Sequence, residues 1–112
     1  MSRPTIDPRS FEALQANAGA DFVLILIEAF AEEAPRLLAA LRAAARQGDA
    51  AGYEDAAHTL KSNGLTFGAT LLAEMAERLE WQGPDAEDGA IDALATALDT
   101  TLAALRTLAR QG

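Results

Sequence analysis

Across 112 residues the sequence has 27 Ala and 16 Leu but only four Ile and one each of Val and Tyr. Helix formers therefore outweigh strand formers, and one small all-α domain spanning residues 1–112 is expected. Nine basic against seventeen acidic residues give a net charge of −8, which repels phosphate backbones and anionic lipid, so neither nucleic acid nor membrane is an expected partner. The lack of Cys excludes disulfides and thiolate chemistry, and Met1 to Ser10 has no apolar run of signal-peptide type, so a cytoplasmic monomer is expected.

Asp7 followed by Pro8 reads as an N-cap with Pro at the first helical position, opening a short peripheral helix that carries Phe11 and Leu14 and ends before Gly19. From about Asp21, Val23, Ile27, Phe30, Ala34, Leu37, Leu41 and Ala44 recur at spacings of four and three, predicting one long helix that stops at Gln47-Gly48. Pro35 lies inside it; because the stripe continues in phase, a kink is expected and not a break. Asp49 suits the N-cap of a third helix with a small and apolar stripe at Tyr53, Ala57, Leu60, Gly64 and Phe67. A fourth carries Leu72, Met75 and Leu79 and stops at Gln82-Gly83-Pro84. Asp85 and Asp88 suggest a cap for a fifth, whose stripe runs Ile91, Leu94, Leu98, Leu102, Leu105 and Ala109. Met75 and Trp81 fit core or rim packing. Four long helices with short connections predict an antiparallel up-down four-helix bundle, with the short N-terminal helix as an extra element.

The only His and the only Lys stand three residues apart, at His58 and Lys61, and so share a helix face. At about 100° per residue, His58 points roughly 140° away from the third helix's inward stripe and Lys61 roughly 80° away. Both should reach solvent on one flank. One reading is a plain surface histidine on an amphipathic helix. The other is chemical: a neutral imidazole is a good nucleophile near pH 7, and a phosphoryl group placed on it brings close to two negative charges that an ammonium one turn away would offset. Ser62, Asn63 and Gly64 are small, which would let a partner approach the ring closely.

The run His58-Thr59-Leu60-Lys61-Ser62-Asn63, followed by Phe67-Gly68-Ala69, resembles the signature of histidine phosphotransfer (HPt) domains. The likeness extends to Glu32-Glu33-Ala34-Pro35, to Gly48-Asp49 and to Leu79-Glu80, and so to essentially the whole chain. It implies a phosphorelay carrier, not an enzyme, in which His58 accepts a phosphoryl group from a receiver-domain aspartate and passes it to another receiver, with Lys61 attending the group. Histidine kinases or hybrid kinases would be further partners. The position after the Lys is often Gly in the family and here is Ser62. A Gln or Glu on the next helix often faces the imidazole, and Glu80 matches that place by spacing; a solvated surface carboxylate is its other reading. No glycine-rich phosphate cradle is present, so no cofactor is expected, and the metal ion that phosphoryl transfer normally uses would come from the receiver.

A domain of net charge −8 gains little from long-range attraction to an acidic receiver pocket, which points to an apolar docking patch beside His58. Phe22 and Ile25, off the second helix's stripe, together with Ile6, Phe11, Leu14, Leu65 and Gly64, are the candidates. In the other reading the first helix covers the second and buries Phe11 and Leu14 against Phe22. Two further functions stay open at this point: a non-catalytic helical adaptor, and an HPt domain cut from a hybrid sensor kinase, although the initial Met and the lack of a linker suggest a free-standing domain. A di-iron bundle needs paired Glu-x-x-His motifs that one His cannot supply.

Overall fold

The computed structural model describes residues 4–86 and 89–111. Five α-helices follow in order: α1 Pro8–Ala18, α2 Ala20–Gln47, α3 Ala50–Thr66, α4 Thr70–Gln82 and α5 Ala90–Gln111, with a 3-10 turn at Gly83–Asp85 between the last two. Local chemistry sets most of these ends. The Asp7 carboxylate accepts from the Arg9 N–H and the Ser10 hydroxyl at the start of α1, with Pro8 at the first helical position. Gly48 closes α2 in the left-handed region at φ 68°, and Asp49 caps α3 by accepting from the Gly52 N–H at 3.0 Å. Pro35 sits on the exposed face of α2, and the helix runs through it without a break. Of the two acidic residues expected to cap α5, Asp85 lies in the 3-10 turn instead and Asp88 falls outside the described residues.

α2 packs on α3 and α5, α3 on α4, and α4 on α5, so the four long helices close a ring around one core. Val23, Ile27, Phe30 and Leu41 meet Tyr53, Leu60, Leu72, Leu79, Leu94, Leu98 and Leu105 there. On α5 the buried position falls to Thr101, with Leu102 half-buried beside it. The Phe30 and Phe67 rings stack with centroids 5.5 Å apart, which fixes the level of α2 against the end of α3. Because Phe67 follows the last residue of α3, the first turns of α2 extend beyond that helix. α1 covers them, and Ile6 and Phe11 join the core. The N-terminal segment is held by the Asp7 N–H donating to the Gly68 carbonyl at 2.8 Å. Gly68 has φ 74° and runs so close to Ser10 that a β-carbon would collide with it.

Two ion pairs tie α2 to α5: Arg42 to Asp92 at 2.8 Å, and a two-pronged Arg106–Glu28 pair at 2.8 and 3.0 Å. The Arg106 hydrogen bond holds the Glu28 carboxyl below its ordinary value and raises the guanidinium in turn. Among the described residues no single helix is long and apolar enough to cross a membrane.

Candidate functional site

α3 presents Glu54, His58 and Lys61 on one face, at the i, i+4 and i+7 positions of a helix, while Ala57, Leu60 and Gly64 on the opposite side hold it to the core. Facing them, α4 presents Glu77, Glu80 and Trp81, again one helical face. The His58 side chain is 59% exposed, yet its ring is held, with Nδ1 3.1 Å from Oε2 of the largely buried Glu80. A carboxylate only accepts, so in the neutral ring this contact selects the tautomer with its hydrogen on Nδ1, which leaves the Nε2 lone pair directed away from Glu80. Lys61 Nζ lies 3.5 Å from Glu80 Oε1 and 3.8 Å from Glu77 Oε1. Glu80 therefore touches both groups, one through each oxygen, and sets imidazole and ammonium side by side.

Chemically the arrangement can supply a nucleophile with one open nitrogen, a counter-charge behind the ring to stabilise imidazolium, and beside it a cation, 26% exposed and held between Glu77 and Glu80, to meet an incoming anion. The structure brings together His58, Lys61 and Glu80. Ser62 is exposed one turn beyond His58. Asn63 does not join them: it lies about 140° around the helix from His58, with its side-chain nitrogen buried and unpartnered in the protein.

The expected docking residues divide. Leu65 is exposed on the same face of α3 as His58, roughly 10 Å further along the helix. Phe22 and Ile25 are exposed as well, but they do not surround the histidine, because α2 outruns α3. At 1.5 Å per residue they lie roughly 20–25 Å from it along the bundle axis. Phe11 is only 3% exposed and Leu14 is packed against the core, since α1 closes the bundle end with its apolar side inward. Ile6 is buried there too, while Phe22 stays half exposed instead of being covered by α1. Gly64 is buried against the start of α4, where a β-carbon would lie 3.3 Å from the Ala69 carbonyl oxygen and the Ala73 nitrogen. Its small size admits α4, not a partner.

Three exposed positions escaped the sequence reading. Leu24 is exposed one turn before Glu28, hence on the α5 side of α2. Its signal was the unbroken apolar run Phe22 to Ile27, longer than one buried stripe can absorb. Glu77 was legible as the residue one turn before Glu80. Trp81 does not pack in the core or at its rim: it is 84% exposed, in a groove lined with Glu54, Lys61, Glu77 and Glu80. Met75 does pack half-buried against the core.

A family model described as Hpt domain matches residues 25–108. Among solved structures the chain is similar to the crystal structure of histidine-containing phosphotransfer protein B (HptB) from Pseudomonas aeruginosa PAO1, with 29% identity and a TM-score of 0.74 over 98% of this chain and 95% of that one. No curated protein matches the sequence.

Proposed function

Because the chain belongs to the Hpt domain family, that of the histidine phosphotransfer proteins of phosphorelay signalling, we propose that His58 is the residue that carries the phosphoryl group. The observation that supports this most is the exposed imidazole pinned at Nδ1 by Glu80, 3.1 Å away, with Nε2 open to a partner. In the forward step the Nε2 lone pair attacks the phosphorus of a receiver's aspartyl phosphate. The P–N bond forms as the P–O bond to the aspartate breaks, and the aspartate leaves as carboxylate. Positive charge develops on the ring, where the Glu80 carboxylate faces the Nδ1 hydrogen, and Lys61 turns its ammonium to the phosphoryl oxygens. The reverse step, on a second receiver, regenerates neutral His58.

In this reading the chain is a carrier without a nucleotide site, and the metal ion of the transfer belongs to the receiver. Leu65 beside the site, with Phe22 and Ile25 at the outer reach, would form the apolar part of the docking face. A standard interface of about 800 Å² per partner is wide enough to include them. The net charge of −8 favours a monomer that engages receivers and kinases, not nucleic acid or membranes.

Incubation with a receiver carrying radiolabelled phosphoryl groups tests the proposal. The label is expected to move to this chain in a form that is acid-labile and alkali-stable, as a phosphoramidate bond is. Failure to acquire label, or label that alkali removes as it would from an acyl phosphate, would overturn it and favour the adaptor reading.

A further inference from the structure

The groove between α3 and α4 holds a feature that the chemistry at His58 does not use. Trp81 follows Glu80 directly, yet 84% of its surface faces solvent, so its indole adds nothing to the core. It is also a large apolar side chain next to the histidine's partners, since it lines one groove with Lys61 and Glu80, and Glu80 contacts His58. Phe22 and Ile25 are more distant, towards the other end of the bundle. Around the indole the groove is lined by three carboxylates, Glu54, Glu77 and Glu80, against the single ammonium of Lys61. Lys61 is shared between Glu80 and Glu77, while Glu54 makes no ion pair among the described residues. The groove is therefore an aromatic face with excess negative charge, which suits a cation: a guanidinium or ammonium stacks on an indole and pairs with carboxylates at its edge.

We propose that Trp81, Glu54 and Glu77 form a socket for one basic side chain on the rim of the docking receiver, and that this contact decides which receivers exchange phosphoryl groups with His58. The inference rests on the phosphocarrier reading. The socket continues the docking face, because Lys61 and Glu80 belong both to the groove and to the phosphoryl site. Leu65, roughly 10 Å further along α3 from His58, and the socket against α4 would give a receiver two fixed points, enough to hold its aspartate in line with Nε2. Buried Trp and Arg are the usual anchors of such interfaces.

The test uses the full chain and purified receiver domains from the source organism, each phosphorylated and followed in single-turnover transfer. For receivers that use the socket, Trp81→Ala is expected to raise the half-saturating receiver concentration about 30-fold, as loss of an interface anchor does. The transfer rate at saturation should stay within about twofold, because no reacting atom is touched. Glu54→Lys should weaken the same receivers, and Trp81→Phe should recover most of the loss. An unchanged half-saturating concentration for every active receiver would overturn the socket, as would a loss confined to the saturated rate. Phosphoramidate, a small donor that needs no docking, separates loss of the phosphoryl site from loss of the socket. If it does not label His58 in the unaltered chain, the phosphocarrier reading itself falls; if it labels Trp81→Ala as well as the parent, the variant's site is intact and any loss belongs to docking.

Discussion

Replacing His58 by Gln is expected to abolish phosphoryl acceptance from receivers and from phosphoramidate alike, with the helical circular dichroism and thermal midpoint unchanged. The chain has one His and no Cys, so no second nitrogen or sulfur nucleophile stands in reserve. The neighbouring Ser62 hydroxyl has no base to activate it once the imidazole is gone. Stability should survive, because the side chain is mostly exposed and the bond it gives up is a single surface contact with Glu80. Lys61→Ala should act on the same step more mildly. A phosphoryl group brings close to two negative charges to a domain already at −8, beside Glu80 and Glu77, and Lys61 is the cation in contact with that pair. Losing such a partner for developing charge costs about 10²–10³ in rate at preorganised sites. A flexible, partly solvated ammonium should fall at or below the low end of that range. Rapid-quench transfer assays on the two variants check both expectations.

Gly64→Leu is expected to destabilise the fold by about 2–3 kcal/mol, the cost of overpacking a tight contact, and to lower the thermal midpoint by roughly 10 °C. At Gly64 the axes of α3 and α4 come so close that a β-carbon would already lie 3.3 Å from two backbone atoms of the facing segment. Backbone cannot rotate aside as a side chain can, so the extra carbons must push α4 away as a body. α4 carries Glu77, Glu80 and Trp81, so the same substitution should loosen the His58–Glu80 contact and slow transfer. Gly64→Ala should be nearly neutral, since the helix propensity of Ala, worth about 1 kcal/mol over Gly, opposes a crowding of only a few tenths of an ångström. Chemical denaturation of the two variants separates crowding from propensity.

Helix limits were legible because the punctuation is chemical and local: Asp7-Pro8, Gln47-Gly48 and Asp49 act through hydrogen bonds and dihedral angles within one turn. The outward aim of His58 was legible for the same reason, since a helical wheel needs only the helix's own stripe, whereas Lys61 is only 26% exposed because Glu77 and Glu80 of α4 draw it in. What the wheel lacks is the level of one helix against the next. That is why Phe22 and Ile25 were expected around His58, when the Phe30–Phe67 stack sends them past the end of α3. It is also why Gly64 read as room for a partner, when the space belongs to α4. Trp81 misled by type: a lone aromatic at helical spacing usually packs, and only the position of α4 against α3 leaves this one in solvent. Glu80 was placed by the family likeness, and geometry puts its carboxylate on the imidazole.

The measurement closest to the central claim is ¹⁵N NMR of the single imidazole before and after treatment with phosphoramidate. Expected is a ring whose neutral form carries its hydrogen on Nδ1, hydrogen-bonded to Glu80, with phosphorus coupled to Nε2 after treatment. Phosphorus on Nδ1, or a ring that takes up none, would contradict it.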